Sequence, residues 1–215
     1  MSKFKEIKAK GKSLCRRSLV YGKGINDADY IVQLSEKGKR ISCPFYTRWK
    51  QMLHRCYYGK YTEEHGTYKD CYVCDEWLTF SSFKAWMMKQ EWEGKELDKD
   101  ILSCGNKVYS PSTCVFISSE LNKLFAIPER GRSLPTGVSI GSCGKRFRSR
   151  CNRNGKIINL GYFNSVEEAE SAYLSYKSHV VYVEALKNKE PIKSSLIKRS
   201  EQIKSKAQQL IENRL

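Results

Sequence analysis

The sequence predicts an α+β protein made of two small units. Around Leu97–Asn122 the order is strand, loop, strand, helix. From Gly137 onward, three short strands separated by Gly/Asn turns precede one capped helix, which reads as a small three-stranded antiparallel sheet packed on that helix. Between these stretches, Pro128 to Pro135 reads as a linker. The expected organisation is therefore a basic flexible arm over 1–24, a first domain over 25–127, a linker over 128–135, a sheet-and-helix domain over 136–188, and a basic C-terminal helix or tail over 189–215.

The elements follow from local pattern. Tyr30-Ile-Val-Gln-Leu34 alternates and reads as a strand. After Pro44, Trp49, Leu53 and Cys56 fall at helical spacing over 46–57, with Arg48, Lys50 and Arg55 on the outside. Residues 59–70 read as loop and Cys71–Cys74 as a short strand. Ser81 or Ser82 caps a helix carrying Phe83, Trp86 and Met87. Leu97 opens a strand, 103–111 is a Gly/Asn/Ser/Pro loop, Cys114–Ile117 is the return strand, and Ser118 or Ser119 caps a helix containing Asn122. Gly137–Ile140, Lys145–Arg150 and Lys156–Leu160 are the three strands of the second unit. Ser165 caps the helix behind them, with Glu167 and Glu168 in its first turn, where the helix dipole favours acids. Ala169, Ala172, Tyr173 and Tyr176 mark its packed face, and Ser194–Leu215 reads as a basic amphipathic helix or tail.

Composition narrows the function classes. With 215 residues, 40% of them hydrophobic, the chain can bury a core, and no apolar run reaches the roughly 18 residues of a membrane span. The basic N-terminus lacks the apolar stretch of a secretory signal, so the expectation is a soluble protein of the (host) cytoplasm with no membrane partner and no small-molecule substrate. The net charge of +16 is uneven: residues 1–50 carry 13 Lys/Arg against 4 Asp/Glu, whereas residues 51–100 carry 7 against 10. A basic body around an acidic segment points to nucleic acid as partner. Nine cysteines without a secretion signal read as reduced thiols. Cys71-x2-Cys74 is half a zinc knuckle whose second half is missing, since Cys104 and Cys114 are not two apart; a structural Zn2+ ranks behind an ordinary buried thiol.

Leu97-Asp98-Lys99-Asp100 presents a carboxylate at a strand end, and Asn122 presents an amide on a helix. One carboxylate and one neutral amide oxygen suit a hard divalent cation, Mg2+ or Mn2+, and leave coordination sites for phosphate and water. Such pairs also occur as plain surface polar residues.

Residues of about 20–125 resemble the phage-encoded HNH endonucleases of homing and nicking type. The resemblance rests on Pro44-Phe-Tyr-x-x-Trp49-Lys-x-Met52-Leu-x-Arg55-Cys56-Tyr57, on Tyr68-Lys-Asp-Cys-x-Val-Cys-Asp-Glu-Trp77, and on Leu97–Ile101 with Gly105–Pro111 and Cys114-Val-Phe. It implies a ββα-metal finger with Asp98 and Asn122 as metal ligands, and with Thr113 where an asparagine usually pins the loop. Lys99 stands where the family has its general-base histidine. An ordinary lysine is protonated at neutral pH. Lys99 would have to be depressed by burial, or act as a fixed charge on the phosphate, or leave the base role to Asp100; otherwise only DNA binding survives.

In Lys145–Cys151, Arg146, Arg148 and Arg150 alternate on one strand face, with Phe147 and Cys151 on the other. Guanidinium groups at about 7 Å spacing suit phosphate contact and guanine readout in a major groove. Residues 134–186 resemble the Apetala-type DNA-binding domain of plant ethylene-response factors, on Gly137-Val, the Lys145–Arg150 strand, Leu160-Gly-Tyr-Phe163 and Glu167-Glu-Ala-x-x-Ala172-Tyr173. The resemblance implies duplex DNA contacts by Lys145, Arg146, Arg148, Arg150 and Lys156. Asn159 replaces the usual tryptophan and Ser139 a frequent arginine. The expected activity is metal-dependent nicking or cleavage of double-stranded DNA, with Asp98, Lys99, Asp100 and Asn122 at the site; the rival is a non-catalytic DNA-binding regulator.

Overall fold

The computed structural model describes residues 4–125, 133–142, 144–153 and 155–213. The chain is mixed α+β with small sheets, and its contacts divide it into two compact units, up to Ser118 and from Ser119 onward. Residues 128–132 of the expected linker lie outside the described residues. No helix among the described residues is long and apolar enough to cross a membrane.

The first unit begins with a short helix, α1 (Lys12–Cys15), and a hairpin of β1 (Gln33–Glu36) and β2 (Lys39–Ser42). Its turn, Lys37-Gly38, has φ of 48° and 74°; two positive φ values match the twist of a two-residue hairpin. The strand expected at 30–34 begins three residues later, and Tyr30 instead makes an isolated bridge to Lys8. The second strand escapes sequence reading because its residues are mostly exposed, so no apolar alternation marks it.

Helix α2 (Pro44–Tyr57) opens with proline at its first position, where a missing N–H does no harm. It buries Tyr46, Trp49, Met52, Leu53 and Cys56. The expected loop 59–70 contains α3 (Gly59–Glu64) and a 3-10 turn (Gly66–Tyr68); neither buries a residue, so neither shows an apolar stripe. Next come β3 (Tyr72–Val73), α4 (Asp75–Leu78), α5 (Phe80–Met87), β4 (Glu96–Asp98), β5 (Val108–Tyr109) and β6 (Val115–Ile117). Strand β5 runs parallel to β3, and β6 antiparallel to β4. The expected serine cap of α5 is absent: the helix starts at Phe80, and Asp27 Oδ1 accepts the Ser81 amide at 2.9 Å from far along the chain. The core is aromatic. Trp49, Trp77 and Phe83 are fully buried, and Trp49 Nε1 donates to Trp77 O at 2.7 Å.

The second unit contains α6 (Ser119–Phe125), β7 (Val138–Ile140), β8 (Phe147–Arg153), β9 (Lys156–Phe163), α7 (Val166–Ala185) and α8 (Ile192–Glu212). The sheet order is β7-β8-β9, all antiparallel. Ser165 caps α7 as expected: its Oγ accepts the Glu168 amide at 3.2 Å, and Glu168 reaches back to the Asn164 amide at 3.1 Å. The sheet packs on α7, and α8 folds back along α7 as a helical hairpin. Ser171 Oγ donates to Ala207 O (2.8 Å) and Ser178 Oγ to Ser200 O (2.9 Å), which fixes the antiparallel register. Lys177 Nζ donates to Leu124 O and ties α7 to the end of α6.

Gly137, just before β7, has φ of 84°, and a Cβ there would lie 2.2 Å from the Tyr173 ring and 2.8 Å from Arg150 O. Gly137→Ala therefore combines positive-φ strain with overpacking and should destabilise the second unit by about 2–4 kcal/mol. All four tryptophans (Trp49, Trp77, Trp86 and Trp92) lie in the first unit. In urea, helical circular dichroism should report the loss while tryptophan fluorescence holds its midpoint.

Candidate metal and nucleic-acid site

The carboxylate site is built on β4. Leu97 pairs with Phe116 and Asp98 with Val115, and the buried Leu97 and Phe116 anchor the strand end. Two arginines of α2 reach the same strand region. Arg48 Nη2 donates to Lys95 O (2.7 Å) and Arg55 Nη1 to Leu97 O (3.4 Å). The expectation that both lie on the outside of α2 is thus corrected: they are half-buried and hold strand carbonyls, which a pattern of charge cannot reveal.

Beyond Asp98 the chain leaves the strand. Asp98 Oδ1 accepts the amides of Asp100 (2.8 Å) and Ile101 (2.6 Å) and turns the backbone. Burial pushes the Asp98 carboxyl above its ordinary pKa, and the two amides oppose that shift without cancelling it. Its Oδ2 takes no hydrogen bond among the described residues.

Lys99 is 4% exposed. Its Nζ donates to both Asp100 carboxylate oxygens (2.9 and 2.8 Å) and to Asn106 O (2.6 Å), which matches the three donors of an ammonium. Burial alone would lower its pKa. The hydrogen bond and charge of Asp100, aided by Cys71 and Asp98, outweigh burial and hold Lys99 above the ordinary lysine value. The route in which a depressed Lys99 takes a proton runs against this direction. Asp100 is the more exposed partner, its side chain 43% accessible.

Two residues pin the loop. Thr113, standing where the resemblance puts an asparagine, donates from Oγ1 to Val108 O (2.8 Å) and accepts the Ser110 amide (3.1 Å). Asn106, to which the sequence assigned no role, donates to Lys99 O (3.0 Å) and Val108 O (2.6 Å) and accepts the Val108 amide (3.2 Å). The signal available was its place in Gly105-Asn106-Lys107, a turn sequence beside the ligand strand.

Asn122, the expected second ligand, is half-buried on α6 and belongs to the second unit, whereas Asp98 belongs to the first. Their pairing is a proposal. A carboxylate oxygen such as that of Asp98 suits a hard cation such as Mg2+ or Mn2+ rather than a soft one. Among the described residues there is no group of three or more His, Cys, Asp or Glu placed to hold a metal. Cys71 is buried and donates to Thr67 O at 3.7 Å, and burial raises its thiol and that of Cys74.

In the second unit, β8 begins only at Phe147, so Arg146, expected on the strand face with Arg148 and Arg150, lies in the bend before it; the alternation holds from Arg148 to Cys151. Ser149 and Cys151 are buried, whereas Arg148 and Arg150 share the other face. Cross-strand partners put Ser139 and Tyr162 beside Arg148, and Asn159 beside Arg150. The register shifts near Ser149/Arg150, and Gly161, with φ of 127°, absorbs the irregularity. The Arg148 guanidinium lies 5.9 Å from the Tyr162 ring centre. Lys145 and Arg146 sit in the exposed bend before β8, and Lys156 opens β9, exposed. Ile157 (63% exposed) and Tyr162 (44%) add apolar surface to the arginine face.

No family model, no curated protein and no solved structure matches the chain. The functional reading therefore stands on these residues.

Replacing Asn106 by Ala removes the links from Lys99 O to Val108. It should destabilise the first unit by about 1–3 kcal/mol. Thermal unfolding followed by tryptophan fluorescence should show a lower midpoint, with the second unit's helical signal unchanged.

Proposed function

We propose that the chain is a divalent-cation-dependent DNA endonuclease that nicks or cleaves duplex DNA, of the homing or mobile-element type. The observation that carries the reading is the Asp98 carboxylate at the end of β4, with one oxygen fixed by backbone amides and the other without a hydrogen bond among the described residues. Asp98 and Asn122 would hold the cation. When bound, such a cation polarises the scissile phosphate and lowers the pKa of an attacking water.

The chain's own groups divide the remaining work. Lys99 keeps its proton, neutralises Asp100 and fixes the loop; it is a positioning residue rather than a base. Asp100, exposed beside it, takes the proton of the attacking water. Lys145, Arg146, Arg148, Arg150 and Lys156 bind duplex DNA, largely through phosphates. Asn159, Ser139 and Ile157 give the same face groups suited to base edges.

A second reading, a DNA-binding protein without catalysis, is favoured by one observation: all three donors of the Lys99 ammonium are engaged within the loop. Supercoiled-plasmid nicking separates the two. With Mg2+ or Mn2+ the wild type should nick, and EDTA should abolish nicking. Asp98→Ala should lower the rate about a hundredfold or more, because such a cation supplies several kcal/mol to the transition state. Asp98→Ala should still shift DNA in a gel. A wild type that binds but never nicks with any divalent metal leaves only the second reading.

Replacing Arg146, Arg148 and Arg150 together by Ala should weaken duplex binding. If all three meet phosphates, the log–log salt slope should become shallower by about 2.7, at about 0.9 per phosphate lost. An unchanged affinity and slope would remove the sheet from DNA contact.

A further inference from the structure

A cleft in the first unit runs between the 16–26 segment, the β1–β2 hairpin and α2. It consists of two adjoining pockets of about 280 and 400 Å3 that share Tyr21, Tyr46 and Lys50. Its charged lining is Arg16, Arg17 and Lys50, and no carboxylate lines it. Arg17 is committed to backbone, donating to Asn26 O and Tyr30 O at 3.0 Å each. Lys50 makes no ion pair among the described residues. A positive cleft without its own counter-charge is built for an anion.

Tyr21, Tyr46 and His54 line the same cleft, and Tyr58 lies behind His54. Tyr21 lies edge-on to His54 at 5.2 Å, and His54 stacks on Tyr58 at 4.8 Å with planes 21° apart. Tyr58 is 43% exposed. The backbone supplies an independent observation. Tyr21 has φ of 51°, a left-handed conformation that glycine or asparagine adopts with less strain. The Val20–Gly24 turn holds it there through paired amide–carbonyl bonds of 2.8 and 2.9 Å. A bulky residue kept in that conformation marks a position where its ring is wanted.

Resting on the nucleic-acid reading above, we propose that this cleft binds an unpaired DNA segment, with phosphate on Lys50 and Arg16 and a base against Tyr21 and the His54–Tyr58 stack. Aromatic faces beside basic side chains are the chemistry of single-strand binding. A duplex hides its base faces, and pockets of 280–400 Å3 are of nucleotide size.

The test is fluorescence anisotropy of the full chain in EDTA, with a labelled oligothymidylate of about 12 nucleotides and a duplex of equal length. Tyr21→Asn and Lys50→Gln should each weaken oligothymidylate binding by about tenfold. Duplex affinity should stay within about twofold of wild type. Tyr21→Asn should still fold, with the second unit unaffected, because asparagine tolerates the positive φ and so offsets part of the lost ring packing. Oligothymidylate binding unchanged in both variants would overturn the proposal, as would equal losses on single strand and duplex. Displacement of oligothymidylate by polyglutamate at equal charge would reassign the cleft to acidic peptide. Wild-type binding to duplex but not to oligothymidylate sinks this proposal alone; binding to neither sinks the nucleic-acid reading with it.

Discussion

A charged ammonium 4% exposed must find its acceptors inside the protein, and the loop after β4 is shaped by that demand. Lys99 can reach Asp100 and Asn106 O only because the chain doubles back at once. The turn is made by Asp98, whose Oδ1 gathers the amides of Asp100 and Ile101. The return is held by Asn106, which joins Lys99 O to Val108. Asp98 is therefore oriented by the same arrangement that neutralises Lys99. Burial pushes the thiols of Cys56 and Cys114 up to about 12, so these two stay protonated at neutral pH and the main counter-charge of the ammonium is Asp100.

Helix α2 connects this loop to the rest of the first unit by using three sectors of its surface. At about 100° per residue, Trp49, Met52, Leu53 and Cys56 form one sector and fill the core. Arg48 and Arg55, two turns apart, form a second and hold the carbonyls of Lys95 and Leu97. Thr47, Lys50, Gln51 and His54 form a third and line the basic cleft. A shift of α2 would move β4 and the cleft together, so the proposed cation ligand and the proposed nucleotide cleft share one support.

Local signals in the sequence were enough for the second unit. Turn glycines, alternation over 148–151 and the Ser165–Glu168 cap are read from residues a few positions apart, and the sheet and α7 lie close to where they point, with β8 starting two residues later than expected. The first unit was less legible because its decisive contacts are distant in sequence. Asp27 satisfies the start of α5, Arg48 reaches a carbonyl 47 residues away, and β3 finds its partner in β5 across α4, α5 and β4. None of these leaves a periodic trace. The helix at 59–64 was missed for a related reason: with no buried residue it has no apolar face. At the candidate site, Asp98 was legible as a strand-end carboxylate. The charge state of Lys99 was not, because it depends on burial and on Asn106, seven residues on.

The arginine face of the second unit bears on how the proposed DNA contact would divide between affinity and selectivity. A surface that met only phosphates would need nothing besides Lys and Arg. Here the irregularity near Arg150 and Gly161 keeps Tyr162 and Asn159 beside Arg148 and Arg150, and Ile157 stands out at 63% exposure. Leaving an isoleucine and a tyrosine in water forgoes burial that α7 offers on the other face. An exposed apolar group next to guanidinium and amide groups is matched by the edge of a base pair, which offers acceptors, donors and a thymine methyl within one groove. On that chemistry, the basic bend at Lys145 and Arg146 would supply the proposed attraction at any sequence, whereas the β8–β9 face would discriminate among sequences. Changing Ile157 or Asn159 would alter which sites are preferred more than how tightly DNA in general is held.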